Sequence, residues 1–302
     1  MLVQTVSSYT AASLAPAEAA RAMVRGKFLY AGAQKLWVHG VTYGTFRPDP
    51  NGDEYPSRSV VDADFACMAA SSVNTVRVYT MPPRWLLDCA ERHALRVMVS
   101  LAVERYVGFI ADGGQWPAKV DRDFSDAVSR CAGHPALLCY AIGNEIPASM
   151  VRWLGRKQVE RCLRRTYEMI KSHDPDGLVT YVNYPSTEYL HLPFLDLVCF
   201  NVYLERREAL EAYLARLHNI AGDRPLMMSE VGLDSMRHSE DKQARTLDWQ
   251  LRTAFNGGCA GAFVYSWTDE WYRGGEEVRD WTFGLVRRDR SPKPALWRVR
   301  SA

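Results

Sequence analysis

The sequence of 302 residues is poor in the features that mark most other protein classes. Its seven cysteines form no CxxC pair, and several, such as Cys139 and Cys199, lie inside apolar stretches. They read as small buried thiols, which excludes a disulfide framework and a structural zinc site. No HExxH motif or close histidine pair is present, so no metal and no cofactor is expected. The formal net charge is only +2, and no dense basic run interleaves with aromatics, which excludes nucleic acid as a partner. No apolar run approaches the length of about 20 residues that spans a bilayer. The first 26 residues carry no charged segment followed by an apolar core, so they do not read as a signal peptide. A soluble chain without membrane insertion is expected, cytoplasmic by default.

What is abundant is aromatic: nine Trp, fifteen Tyr and ten Phe, whose flat faces suit sugar rings as well as large cores. Eight short, nearly continuous apolar runs follow one another at 36–44, 74–80, 96–103, 136–145, 178–185, 196–203, 225–232 and 261–270. Rich in β-branched and aromatic residues, they read as strands buried on both faces of a parallel sheet. Helical patterns alternate with them over 58–71, 83–94, 118–132, 156–173, 205–221 and 239–256. A last helix is expected after Ser291-Pro292, and the connection after the fifth strand is short and irregular. Helix 156–173 shows the mechanism best: Val159, Cys162, Leu163, Thr166, Met169 and Ile170 recur at 3.6-residue spacing, and Asp174-Pro-Asp-Gly177 stops it.

Strand and helix alternating eight times imply an α/β fold, a closed (β/α)8 TIM barrel over residues 27–302, after an N-terminal extension of residues 1–26. A hairpin over 28–37 is expected to plug the barrel bottom, with no accessory β-sandwich. An open doubly wound sheet would announce a Gly-rich phosphate turn after the first strand, and Gly40-Val-Thr-Tyr-Gly44 is not one.

In such a barrel the residues at strand C-termini line the site. Here these are Tyr43, Arg77 and Tyr79, Glu104, Asn144-Glu145, Asn183-Tyr184, Tyr203, Glu230, and Trp267 with Asp269-Glu270. Glu145 and Glu230 end strands four and seven, where core packing has no use for an acid. Two carboxyl groups about 5–5.5 Å apart are what glycosidic cleavage with retention needs, one as nucleophile and one as proton donor. A cation such as Arg77 beside Glu230 would separate their roles, because the charge of Glu230 then raises the proton affinity of Glu145.

Asn144-Glu145, Glu230, Tyr203, Arg77 and Trp267, at these strand ends, resemble the clan A glycoside hydrolases, the retaining β-glycosidases that include the family 2 and family 5 barrels. Within the clan, HGVTYGTFRPDPNGDEYP and NTVRVYTMPPRWLLDCAERH are most similar to bacterial hydrolase domains found near, or fused to, family 2 glycosyltransferases. The resemblance implies Glu145 as acid/base and Glu230 as nucleophile. It implies Asn144 as ligand of the sugar 2-hydroxyl, Tyr203 and Arg77 as supports of Glu230, and Trp267 as the floor under the sugar. Glu104, Tyr43 and Trp271 are further substrate-binding candidates. Trp85, Tyr106, Trp116 and Trp281 are expected in loops on the same side, while His39 and His134 read as structural. The missing N-terminal β-sandwich domains depart from the usual family 2 architecture.

The expected function is hydrolysis of a β-linked glucan or oligosaccharide, with possible association with a glycosyltransferase. Transglycosylation would use the same two glutamates. A non-catalytic carbohydrate-binding barrel, accessory to a polysaccharide synthase, would not need the pair. Aldolase or phosphate chemistry would want a strand lysine or a phosphate loop, of which Gly274-Gly275 is the only hint.

Overall fold

The computed structural model describes residues 20–112 and 118–300, so Trp116 and most of the N-terminal extension lie outside the described residues. The chain enters through a three-stranded antiparallel sheet, β1 (Ala22–Arg25), β2 (Phe28–Ala31) and β3 (Gln34–Leu36). The expected hairpin is therefore its second half. The expected boundary at Lys27 falls inside the sheet, because Ala22 to Arg25 pair with Ala31 to Phe28. Leu29, fully buried, joins the cluster of side chains inside the barrel and closes its lower end.

The barrel is closed and its pairing follows chain order. Its strands are β4 (Val38–Tyr43), β5 (Thr75–Val78), β6 (Arg96–Ser100), β7 (Leu137–Asn144), β8 (Val179–Asn183), β9 (Val198–Asn201), β10 (Leu226–Val231) and β11 (Gly261–Val264). Pairing of β11 with β4 shuts the ring. The strands alternate between two apolar layers, as a period of two requires, except on β7, where Leu138 and Cys139 both join the interior beside a register shift against β6. Val38, Met98, Cys139, Val182, Cys199, Met227 and Phe263 fill the interior. Val41, Val76, Val97, Val99, Tyr140 and Val264 face the helices. The interior is tight: a Cβ on Gly40 would lie 2.2 Å from the ring of Phe263, so only glycine fits there.

The helices match the sequence pattern within two residues at each end: α1 (Arg58–Ala70), α2 (Arg84–Arg92), α3 (Ala118–Cys131), α5 (Arg156–His173), α6 (Arg207–Ala221) and α7 (Glu240–Asn256). On α7, Ser239 caps the N-terminus by accepting from the Lys242 amide, and Glu240 and Asp241 complement the helix dipole. Two features were not expected. A short helix, α4 (Ala148–Leu154), follows β7, and a 3-10 stretch over Val103–Asp112 follows β6. The last helix, α8 (Pro294–Val299), follows Ser291-Pro292 as expected, with Lys293 at its N-cap. A small hairpin, β12 (Tyr272–Arg273) with β13 (Glu276–Glu277), stands in the loop after β11. Among the described residues no helix is long and apolar enough to cross a membrane.

Candidate active site

The inward-facing register of β5 puts Arg77 inside the barrel with no exposed surface. A buried guanidinium needs acceptors. Its two terminal nitrogens find them on three other strands, Nη1 donating to Glu230 Oε1 at 2.7 Å, the Ser229 carbonyl at 2.9 Å and Asn201 Oδ1 at 3.3 Å, and Nη2 to Asn144 Oδ1 at 2.7 Å, while Nε has no partner among the described residues. Two phenols complete the surroundings of Glu230. Tyr79 donates to Oε1 at 2.8 Å and Tyr203 donates to Oε2 at 2.5 Å. Burial first, and then the negative charge of Glu230, hold both phenols well above their ordinary pKa, so they stay neutral donors. Tyr203 remains 42% exposed although its hydroxyl is tucked against the carboxylate.

Glu145 leaves β7 with φ of +46°, a left-handed conformation that costs a non-glycine residue strain. Its amide still donates to the Val182 carbonyl at 2.9 Å, which fixes the backbone at the end of β7. Asn201 ties the two halves of the cluster together. Its Nδ2 donates to Glu145 Oε1 at 2.7 Å and Asn144 Oδ1 at 3.1 Å, while its Oδ1 accepts from Arg77 and from Ser229 Oγ. Burial, and next the charge of Glu230, raise the pKa of Glu145 above the ordinary glutamate value, against opposing effects from Asn201, Arg77 and Arg273. The arrangement therefore separates the acids, one half-buried and favouring its proton, the other paired to a guanidinium.

Five sequence-selected residues, Glu145, Glu230, Asn144, Arg77 and Tyr203, thus meet in one network. Glu104, half-buried, supports that network: its Oε2 accepts from the Asn144 amide at 2.8 Å, and burial pushes its carboxyl pKa up. Gly143 makes room for that carboxylate, since a Cβ there would approach it to 3.3 Å.

Two expectations need correction. Tyr43 does not face the mouth. It is fully buried on the helix side of β4, where its hydroxyl donates to Asp64 Oδ2 at 2.8 Å and its ring meets Phe46 and Phe65. Trp267 is not the floor of the site either. It is 1% exposed and packs in the barrel–helix layer. The reason is that β11 ends at Val264, well before the apolar run does. Tyr265 is therefore the first residue past the strand, and the charge of Glu230 helps to raise its phenol pKa, after burial. Around Tyr265 gather Trp271 (ring centroids 4.9 Å apart), Phe283 (5.2 Å), Tyr203 (6.2 Å) and Trp281 (6.4 Å). Trp271 also stands edge-on to Tyr79 at 5.1 Å, as expected of a residue bordering the site.

Sequence reasoning missed Asn201, Tyr265 and the function of Tyr79. The signal was weak but present, since each is a polar or aromatic residue at the end of an apolar run. Other residues have structural surroundings. Asp269 pairs with Lys293 at 2.8 Å, Glu270 pairs with Arg290, His39 stacks on Phe255, and His134 Nε2 lies 3.1 Å from Asp88. Trp85 lies under Arg58, and Tyr106 meets Phe124. Among the described residues one trio, Asp62, Cys89 and His93, brings potential metal-ligand atoms together. It lies on α1 and α2 and the residue after, and Arg92 already donates to the Asp62 carboxylate at 3.0 Å.

The family model for glycosyl hydrolases family 2, TIM barrel domain, matches residues 23–302. No curated protein matches. Among solved structures, a GH2 β-galacturonidase from Eisenbergiella tayi bound to galacturonate is 19% identical with a TM-score of 0.75, the match covering 93% of this chain and 53% of that one. A β-glucuronidase from Ruminococcus gnavus in complex with uronic deoxynojirimycin is 15% identical with a TM-score of 0.75, covering 93% and 52%. A Faecalibacterium prausnitzii β-glucuronidase is 19% identical with a TM-score of 0.72, covering 93% and 51%. The chain thus spans about half the length of the structures it resembles, and at these identities the likeness is one of fold.

Proposed function

This chain belongs to the glycosyl hydrolases of family 2, as their TIM barrel domain, and from that premise we propose that it is a retaining β-glycosidase. One observation carries the reading. Arg77, Tyr79 and Tyr203 converge on Glu230, while Asn201 aims Glu145 into the same opening. In the first step Glu230 attacks the anomeric carbon as the glycosidic bond breaks, and Glu145 gives its proton to the departing oxygen. In the second, Glu145 takes a proton from water, whose oxygen displaces Glu230. The raised pKa of Glu145 suits a group that must start protonated. Asn144, held by Arg77 and Asn201, is the group that binds the sugar 2-hydroxyl.

The substrate class we propose is a neutral β-linked glucan or oligosaccharide. Arg77 is consumed by Glu230 and Asn144, and Tyr203, Trp271 and Trp281, gathered around the buried Tyr265, offer faces for sugar rings. The same faces favour a second reading, transfer to a sugar acceptor in place of water, through the gain in effective concentration of a stacked acceptor. Uronides, on which the similar structures are named as acting, would need a free cation, and Arg273 near Glu145 is the group that could serve.

Incubation with linkage-defined β-glucosides, β-galactosides and β-glucuronides, with products identified by mass and NMR, tests this. Neutral substrates should be cleaved with retained anomeric configuration, and longer products at high substrate would indicate transfer. Cleavage of glucuronides alone would overturn the neutral substrate, and inverted products would overturn the mechanism.

A further inference from the structure

A cavity of about 530 Å³ opens beside the candidate active site, and neither Glu145 nor Glu230 lines it. Its walls come from the loop after β4, the first turns of α1, and the loop after β11 with its small hairpin. Trp271 joins it to the site, since the same indole lines the cavity and meets Tyr79 and Tyr265 edge-on. The hairpin is fastened as a wall. Its Tyr272 amide donates to the Thr45 carbonyl at 3.0 Å, Thr45 Oγ1 donates back to the Tyr272 carbonyl, and Arg47 reaches Glu277 at 3.4 Å.

The volume lies within the range of about 300–1,000 Å³ typical of small-ligand pockets. The lining is mixed in a particular way. Phe46, Trp271 and Tyr272 supply aromatic surface, while four carboxylates (Asp64, Glu270, Glu277, Asp289) face three guanidinium groups (Arg47, Arg288, Arg290). The charges nearly cancel and are largely paired, as in Arg290 with Glu270 and with Asp64 at 3.5 Å. Arg290 Nε is buried with no hydrogen-bond partner among the described residues. Aromatic faces beside paired acids and guanidinium groups suit neighbouring hydroxyls that donate to one and accept from the other. They do not favour a net anion or cation.

The position gives the direction of the chain. Glu145 leaves β7, directly across the ring from β11, whereas Glu230 leaves β10 beside it. The leaving group lies on the side of the acid that protonates it, so this cavity lies on the other side, behind the sugar attacked by Glu230. We propose that the cavity is a glycone-side subsite that takes a neutral saccharide unit of the same chain, so that the enzyme cuts within a chain instead of trimming single sugars from its end. This rests on the glycosidase reading above.

The test compares p-nitrophenyl β-glucoside with the p-nitrophenyl glycosides of differently linked glucose disaccharides, in the wild type and in Ala63→Trp and Ser59→Trp. Both substitutions project from exposed positions of α1 that line the cavity. Expected is a preference in kcat/KM of about tenfold or more for one disaccharide glycoside, released as intact disaccharide, with both variants losing that preference while monosaccharide turnover is kept. Binding to Glu230→Gln, with and without Ala63→Trp, reads the cavity without turnover: the disaccharide should bind about tenfold more tightly than the monosaccharide only while Ala63 is present. Release of single glucose units, a preference that survives both variants, or equal binding of mono- and disaccharide would overturn the proposal. Absent turnover with the binding difference intact would instead sink the glycosidase reading and leave the subsite standing.

Discussion

Two buried cations each hold a carboxylate in this barrel, and they differ in what else reaches the acid. Arg77 meets Glu230 at 2.7 Å and Lys293 meets Asp269 at 2.8 Å, with all four side chains at most 8% exposed. The Lys293 pair is closed. Its ammonium also donates to Ser235 Oγ at 3.1 Å, and Asp269 accepts from the Gly284 amide at 2.8 Å, so chain segments around residues 235, 269, 284 and 293 are locked together. The Arg77 pair is open on one side. Among the described residues Glu230 adds two tyrosine hydroxyls, one of them on Tyr203, a residue 42% exposed, and Arg77 links it to Asn201, the donor to the second acid, Glu145. The same ion-pair chemistry thus fixes the chain where backbone and hydroxyl groups of several segments converge on the pair, and is available for reaction where the acid also faces the mouth.

That contrast is broken most sharply by removing one member of each pair. Glu230→Gln should lower turnover by at least about 10³-fold, with a small change in Tm, because Arg77 keeps the carbonyl of Ser229, Asn201 and Asn144 as acceptors. Lys293→Met should do the reverse. It strands a buried carboxylate at a cost of about 3–5 kcal/mol, roughly 5–15 °C in Tm, while activity per folded molecule stays near wild type. Calorimetry and active-site-normalised kinetics read both, and similar profiles for the two variants would erase the distinction.

A smaller effect isolates the hydroxyls on the open pair. Tyr79→Phe removes one hydrogen bond to Glu230 and leaves Arg77 and Tyr203 in place. The loss should be about tenfold in kcat with KM little changed, as for one hydrogen bond to a charged group. An effect confined to KM would make Tyr79 a binding residue.

The smallest effect concerns the acid facing the open pair. Burial and the charge of Glu230 raise the folded-state pKa of Glu145, so folding favours the protonated acid. Its contribution to stability is present below the unfolded value near 4.3 and is lost as pH rises through the folded value. Glu145→Gln, neutral throughout, should therefore melt higher than wild type by about 1–3 °C near pH 8 and lose that advantage near pH 4. A gain that does not vary with pH would mean that packing, not charge, is its source.

The sequence made the elements legible because each carries its own periodicity. Helix 156–173 was placed to the residue by its apolar spacing and the Asp174-Pro-Asp-Gly177 stop. Glu145 and Glu230 stood out because an acid closing an apolar run is conspicuous. Tyr43 and Trp267 misled for the same reason that Tyr265 and Asn201 were overlooked: a run of apolar letters shows neither where pairing stops nor which of two faces is inside. Tyr43 shares the outward face of β4 with Val41, and the run from Gly261 continues three residues past the end of β11 to Trp267 as a packed loop. A shift of one residue exchanges the faces.

What the sequence determined by itself was the order of strands and helices, and with it that the ends of eight strands share one rim, because alternation leaves a parallel barrel few other ways to bury both faces. What only the tertiary structure decided was which side chains meet at that rim. Arg77 and Glu230 are 153 residues apart, and their contact exists because β11 pairs with β4, closing the ring and bringing β5 and β10 to face one interior.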